Sequence, residues 1–416
     1  MKILVAGAGI IGVTTAWYLA RRGHEVTVLD RQPDVAMETS FANGGQVSMS
    51  GAEPWANPGA PLQILKWLGR EDAPLLVRLR ADRQLWSWTL RFLAECPTGR
   101  TRENTLQILR LAMYSTNALK ETCQQTGIDY DARSGGILHF FTDAAAFSSA
   151  QSFAAIMTEH GLVRKVLDVA ETVALEPAML SCREKLAGAI YTPDDSSGDA
   201  HKFTLALRDR AEQIGVQFRY GINIDALLAG NGKLDGLKVQ NEDGNCEVLQ
   251  ADQYVIALGS YSPLLLKPVG IDVPIYPVKG YSVTVDTEGY SGAPVLSLTD
   301  ESRKLVFSRL GNKLRIAGTA ELTGYDTSIN QIRCKALVKR AQELWPTAGN
   351  YPEAEFWAGL RPATPGNVPL IGRTKIPNLY LNTGHGTLGW TLSCGSAMVL
   401  SDIISKQTPA VDFSFL

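Results

Sequence analysis

A short apolar run, Ile3–Ala6, passes directly into Gly7-Ala8-Gly9-Ile10-Ile11-Gly12, and no other feature restricts the fold of this chain as much. Four consecutive apolar residues suit a strand buried on both faces. Val13–Arg22 reads as a helix with Ala16, Leu19 and Ala20 on one side, ended by Gly23. Glu25–Leu29 is a second strand, with Asp30 at its end. Gly7 permits the tight turn, Gly9 lets the backbone approach a pyrophosphate, and Gly12 lets the helix pack on the strand. The helix N-terminus, from Ile10 and Ile11, offers free N–H groups and the positive end of its dipole to phosphates. Asp30 stands 18 residues after Gly12, close to the offset of roughly 20 for a ribose-binding carboxylate. An acid there favours an adenosine ribose without a 2′-phosphate, although the adjacent Arg31 weakens that point slightly.

Composition excludes several classes. At roughly 150 residues per domain, 416 residues suggest two or three domains. Lys plus Arg number 40 against 42 Asp plus Glu, so the basic excess of a dedicated nucleic-acid binder is missing. Cys96, Cys123, Cys182, Cys246, Cys334 and Cys394 are scattered, with no CxxC pair and no zinc-ligand spacing. They read as free thiols of a reducing compartment, and no metal is expected. The N-terminus lacks the charged start, apolar stretch and cleavage site of a secretory signal. No run approaches the roughly 18 apolar residues of a membrane span, so the expectation is a cytoplasmic protein without transmembrane helices.

Beyond Asp30 the alternation of strand and helix breaks off. Glu38-Thr39-Ser40-Phe41-Ala42-Asn43-Gly44-Gly45-Gln46 is a small polar loop suited either to an ordinary turn or to backbone contact with a flat polar ligand. Residues 62–126 read as mainly helical, with repeated Leu and Trp. Strands are expected at Gly135–Phe141, Gly188–Tyr191, Val216–Tyr220, Pro274–Val285, Lys304–Gly318 and Asn378–Asn382. Helices are expected at Phe147–His160, His201–Ile214, Ile332–Leu344 and Gly395–Ile404. Gln253–Leu258 is a buried strand ending in Gly259-Ser260. The nucleotide-binding half therefore lies in pieces, with other material inserted.

Four segments carry a closer likeness: Glu38 to Gln46, Tyr276-Pro277-Val278-Lys279-Gly280-Tyr281-Ser282, Phe356-Trp357-Ala358-Gly359-Leu360-Arg361-Pro362, and Leu381-Asn382-Thr383-Gly384-His385-Gly386-Thr387-Leu388-Gly389-Trp390-Thr391. With them the chain resembles, nearly end to end, the bacterial D-amino acid dehydrogenases, within the wider D-amino acid oxidase and glycine oxidase group. The resemblance implies a Rossmann-type α/β FAD-binding domain from discontinuous segments, residues 1–60, 194–265 and 356–416. An α+β substrate domain with a mostly antiparallel sheet would take 61–193 and 266–355. It implies noncovalent FAD. Gly7, Gly9, Ile10, Ile11, Gly12, Asp30 and Arg31 would hold the adenosine and pyrophosphate. Thr39, Ser40, Asn43, Gly44, Gly45 and Gln46 would lie against the flavin ring. Gly259 would close the nucleotide site, and Gly384, His385, Gly386, Thr387, Leu388, Gly389, Trp390 and Thr391 would meet the pyrimidine end.

By the same resemblance Arg361 pairs with a substrate carboxylate, a task suited to the two parallel donors of a guanidinium. Tyr276 and Tyr281 are candidates for the pocket wall or for ordinary strand positions. Lys279 reads as a solvated or cofactor-edge charge. His385 reads as a cofactor contact rather than a base, and His201, after Asp199, as part of a helix cap. Cys394 carries no motif for a covalent flavin. The implied reaction is oxidative deamination of a small D-amino acid to a 2-oxo acid and ammonia, with electrons passed to a quinone or other acceptor. A D-hydroxyproline dehydrogenase, a glycine or sarcosine oxidase, and an FAD-binding subunit without its own catalytic site are the alternatives. Residues 62–93 hold Lys66, Arg70, Arg78, Arg80, Arg83 and Arg91 against Glu71, Asp72 and Asp82, interleaved with Trp67, Trp86 and Trp88. This pattern suits either a core or a helix at a membrane surface. The resemblance favours peripheral contact with the cytoplasmic face of the inner membrane.

Overall fold

Lys2–Ala6 is an inner strand of a six-stranded sheet, paired in parallel with Glu25–Leu29 on one side and Gln253–Ile256 on the other. Gln217–Arg219 extends the sheet beyond Glu25–Leu29. Leu379–Thr383 follows Gln253–Ile256 in parallel, and Leu370–Arg373 closes that edge antiparallel. The apolar run is continuous because both of its faces are covered. Ile3 and Val5 face the helices Ile10–Arg21, Ala200–Gln213 and Gly389–Ile404. Leu4 and Ala6 face a three-stranded antiparallel layer, Asn223–Gly230, Lys233–Gln240 and Cys246–Leu249. The structure is a computed structural model and describes residues 1–71, 73–78 and 80–411, so Asp72, Leu79 and the last five residues lie outside it.

A second, mixed sheet runs in the order Glu355–Ala363, Tyr276–Asp286, Lys313–Leu322, Leu305–Leu310, Ser297–Asp300, Ile137–Phe141, Gly188–Thr192, Lys165–Leu167. Leu75–Val77 adds a short parallel strand beside Lys313–Leu322. Ser297–Asp300 also pairs in parallel with Ile137–Phe141, and the other pairings are antiparallel. Helix Gln331–Leu344 covers one face, packing Leu337 and Leu344 on Phe140, Tyr281 and Phe307. The opposite face looks toward the first sheet and bounds a large cavity.

Several elements differ from their sequence-based expectations. Glu355–Ala363 is hydrogen-bonded along its length to Tyr276–Asp286, so the return to the first unit falls after Ala363 rather than at 356. Helix Thr98–Thr126, expected in the inserted part, packs in the first core. Ser115 Oγ there accepts the Gly395 N–H at 2.9 Å, and a Cβ on Gly395 would lie 2.6 Å from Ser115 Cβ. Only glycine allows helices that close. Residues 62–126 are divided into Ala60–Trp67, strand Leu75–Val77, Arg83–Glu95 and Thr98–Thr126. Lys304–Gly318 is two strands joined at Gly311-Asn312. Gly386–Ile404 is long and apolar enough to cross a membrane, contrary to the expectation that no such segment exists. It is largely buried against helices Ile10–Arg21 and Thr98–Thr126, the position of a core helix.

Candidate active site

The cavity, about 1430 Å3, lies between the two sheets. At its first end Gly7 turns with φ 104°, a left-handed conformation that favours glycine. A Cβ on Gly12 would fall 1.8 Å from the Gly7 carbonyl oxygen, so Gly12 serves packing and does not line the cavity. Gly9 differs: a Cβ there would meet only Ser40 Oγ, at 3.7 Å, and would project into open cavity. The Ile10 N–H donates to that same Ser40 Oγ at 3.2 Å. Asp30 ends its strand and accepts from the N–H groups of Ala8 at 2.6 Å and Gln32 at 2.8 Å. Burial raises its carboxyl above the usual range, against the pull of those two bonds. Arg31 also lines the cavity, bonded to Glu38 at 2.6 Å and lying 4.0 Å over the Tyr261 ring.

The loop Thr39–Gln46 is stitched to the second sheet. Ser282 Oγ donates to the Ala42 carbonyl at 2.6 Å, Ser308 Oγ to that of Gly44 at 2.7 Å, and Arg315 Nη1 to that of Asn43 at 3.0 Å. Thr39 Oγ1 donates to the Leu360 carbonyl, and Gln46 Nε2 to Ser297 Oγ at 3.0 Å. A Cβ on Gly44 would sit 2.7 Å from Val306, so the approach of loop to sheet requires glycine. The result is a flat polar shelf on the cavity wall.

At the other end of the first unit, Gly259 (φ 52°) lines the cavity after its strand. His385, Gly386, Thr387, Leu388, Gly389 and Trp390 line it at the start of helix Gly389–Ile404. His385 is buried, its Nε2 has no partner among the described residues, and burial holds its imidazole down to about 3. It is therefore neutral and a poor proton acceptor. Gly384 and Thr391 do not line the cavity: Gly384 packs against Thr364, and Thr391 Oγ1 accepts the Ser48 N–H at 2.9 Å. Cys394 is buried off the cavity, and burial pushes its thiol up to about 12, which leaves it unreactive. His201 follows the expected cap, with Asp199 accepting its backbone N–H.

Arg361 projects from its strand into the cavity. In register with Val278, it shares the face that carries Gly280 and Ser282. A Cβ on Gly280 would lie 2.2 Å from the Arg361 Cζ, so glycine lets the guanidinium lie flat on the neighbouring strand. Nη1 donates to the Thr319 carbonyl at 2.8 Å. Thr319 itself has φ 53° at a register shift of its strand, an uncommon conformation for a β-branched residue that turns this carbonyl to the arginine. Arg361 has no ion pair among the described residues, and burial with nearby Arg333 lowers it to about 10, so it stays charged at neutral pH. An uncompensated cation on a cavity wall calls for an anionic ligand.

The two tyrosines differ in position. Tyr276 does not line the cavity: its hydroxyl donates to Asp82 at 3.0 Å and its ring packs near Trp88. Tyr281 does line the cavity in part, but its ring alternates to the opposite face, where it packs under helix Gln331–Leu344 and its hydroxyl bonds Glu321. Lys279, expected as a solvated or cofactor-edge charge, is buried and paired with Asp326 at 2.9 Å and Glu321 at 3.6 Å. The roof of the cavity comes from helices Ala60–Trp67 and Arg83–Glu95, through Ile64, Trp67, Leu85, Trp88 and Phe92. Sequence reasoning missed Thr319 and a polar wall of Ser50, His139 and Glu301. Neither stands in a recognisable motif, and the tryptophan-rich pattern of 62–93, read as a core or a membrane-surface helix, did not point to a cavity roof.

A model of the family described as "FAD dependent oxidoreductase" matches residues 2–403. The chain is similar to a D-amino acid dehydrogenase of Dechloromonas aromatica, at 53% identity over all of both chains. It is also similar to one of Paramagnetospirillum magneticum, at 51% identity over all of this chain and 98% of the other. A crystal structure of glycine oxidase from Bacillus cereus superposes with TM-score 0.73 at 23% identity, covering 98% of this chain and 96% of that one, which speaks to the fold alone.

Proposed function

The chain belongs to the FAD-dependent oxidoreductases, in the D-amino acid dehydrogenase group, and from that membership we propose a role for each part of its cavity. The reaction is oxidative deamination of a D-amino acid to a 2-oxo acid and ammonia. FAD, held noncovalently, supplies the two-electron acceptor for the α-hydrogen. The site fits that cofactor: a backbone cradle opens at Gly9, a carboxylate stands at Asp30, and a flat shelf runs along Thr39–Gln46. The helix N-terminus at Gly389 and the unpartnered His385 nitrogen then stand ready for the polar edge of the ring.

Arg361 takes the substrate carboxylate, and the observation that carries this reading is its unpaired guanidinium in the cavity. Thr319 and Gly280 fix its plane, and the roof of Trp67, Trp88 and Phe92 keeps water from the reacting carbon. Most of the rate advantage then comes from holding Cα in place. Neutral His385 adds a hydrogen-bonding contact and no base. Anaerobic flavin bleaching with D-alanine, other D-amino acids, their L-forms, glycine, sarcosine and D-hydroxyproline tests the reading. D-alanine should bleach fastest, and bleaching by glycine or sarcosine alone would replace the assignment with an oxidase of those amines.

For the acceptor we propose a membrane quinone, reached through the roof at the cytoplasmic face of the inner membrane. Helix Arg83–Glu95 buries Leu85, Trp88 and Phe92 yet also exposes Trp86, Leu90 and Leu93, so it is apolar on both sides. Leu62 and Leu65 are exposed on Ala60–Trp67, with Lys66 and Arg83 exposed nearby. Apolar side chains beside basic ones suit an anionic bilayer, which attracts each nearby cation by about 1 kcal/mol. Arg78 contributes little, being tied to Glu71 at 2.6 Å and Glu321 at 2.9 Å. The expected result is weak, salt-sensitive sedimentation with anionic liposomes, reduced in Lys66→Gln/Arg83→Gln and in Leu65→Ser/Leu90→Ser. Substrate bleaching should be unchanged in these variants. Equal sedimentation of all three proteins would remove the roof as the membrane contact, and faster turnover with oxygen than with a quinone analogue would argue for an oxidase.

A further inference from the structure

Ser50, His139 and Glu301 form a hydrogen-bonded row along the cavity wall, and Asp195 continues it into the protein. His139 Nε2 is 2.8 Å from Ser50 Oγ, and His139 Nδ1 is 2.8 Å from Glu301. Glu301 also accepts from Lys304 Nζ at 2.5 Å, so it is an ionised carboxylate and Nδ1 must carry the proton between them. On its other side, Ser50 Oγ bonds Asp195 Oδ2 and lies 3.1 Å from Ser48 Oγ. Asp195 is 1% exposed, does not line the cavity and accepts the Met49 N–H at 2.7 Å.

A serine hydroxyl has one proton to give, and this restricts the states of the row. With Asp195 ionised, Ser50 donates to it, and His139 Nε2 must carry a proton to donate to Ser50. His139 is then an imidazolium. With Asp195 protonated, the carboxyl donates to Ser50, Ser50 donates to Nε2, and His139 is neutral. Every bond in the row is kept in both states. Without the extra proton, Asp195 Oδ2 and Nε2 would compete for one hydroxyl, and a buried acceptor would go unpaired. The two states interconvert by a short double step: the Asp195 proton passes to Ser50 Oγ as the Ser50 proton passes to His139 Nε2. Burial raises the Asp195 carboxyl, against its bonds from Ser50 and Met49, so the proton rests on Asp195 while the cavity bears no added charge.

The row abuts the start of the last helix. The Ser48 N–H bonds Thr391 Oγ1 at 2.9 Å, and a Cβ on Gly51 would lie 3.2 Å from Leu388 Cδ2. Leu388, Gly51, Ser50 and His139 all line the cavity. We propose that Ser50 passes the proton from Asp195 to His139 when the flavin is reduced, placing an imidazolium beside the polar edge of the ring. This rests on the reading that FAD lies in the cavity with that edge at Gly386–Trp390. Hydride transfer leaves the ring with one more negative charge, which a positive charge moved toward it stabilises. The proton comes from within the protein, so this step takes none from solvent. The reduction potential rises, which favours loss of hydride from the substrate. The effect is one of charge on the ring, separate from carboxylate binding at Arg361.

Two measurements on the FAD-loaded protein test this. Reduced-minus-oxidised infrared difference spectra of wild type should show loss of one protonated-carboxyl band that is sensitive to deuterium exchange. The band should be missing from Asp195→Asn in both states. It should persist through reduction in Ser50→Ala and His139→Gln, where the proton has no route or no acceptor. Dye-equilibration titration should give Ser50→Ala and His139→Gln a reduction equilibrium about fivefold less favourable, about 20 mV lower for a two-electron couple. Ser50→Thr keeps the hydroxyl and should stay within twofold of wild type. A wild-type carboxyl band that is absent, or that shifts without loss, would overturn the transfer. So would a reduction equilibrium in Ser50→Ala within twofold of wild type, or an equal fall in Ser50→Thr, which would mark damage to the wall. Wild type purified without flavin would instead break the FAD assignment, and the proposal with it.

Discussion

Arg361→Leu raises the D-alanine concentration needed for half-maximal flavin bleaching by far more than tenfold while leaving FAD content near wild type. Truncating one partner of a buried charged hydrogen bond typically costs about 2–5 kcal/mol, and here the group left behind is the substrate carboxylate. FAD content is spared because Arg361 touches the Thr319 carbonyl and the Gly280 backbone, not the Gly9 cradle. Arg361→Lys recovers part of the loss, since an ammonium supplies charge without the planar fork. Gly280→Ala is the companion variant. Its Cβ would overlap the guanidinium at 2.2 Å, so the arginine must leave its plane, and substrate affinity should fall with every charge intact. Unchanged bleaching kinetics in Arg361→Leu would move the carboxylate site elsewhere in the cavity.

The second large effect is on the cofactor. Gly9→Leu should yield protein with little or no bound FAD, measured as flavin absorbance per chain after gel filtration. The side chain would project into the space in front of helix Ile10–Arg21, where a pyrophosphate meets the free N–H groups. No neighbour within 3.4 Å opposes a Cβ at Gly9, so the apoprotein should fold with a thermal midpoint close to that of wild-type apoprotein. Gly12→Leu serves as contrast: its Cβ would overlap the Gly7 carbonyl at 1.8 Å, so it should lose stability as well as cofactor. Full FAD occupancy in Gly9→Leu would place the pyrophosphate elsewhere.

The nucleotide end was legible in the sequence because its constraints are local. A buried strand, a turn at positive φ and a helix start need particular residues at fixed short spacings, and Gly7, Gly9, Gly12 and Asp30 meet them within thirty residues. The resemblance added the segments around Arg361 and His385, though not which of their residues face the cavity. That is decided by pairing. Tyr281 and Gly280 are neighbours in the chain, and strand alternation sends one to the helix-covered face while the other opens room for an arginine on the next strand. The same holds for helix Thr98–Thr126, whose sequence does not show which core it joins until Ser115 meets Gly395, 280 residues away.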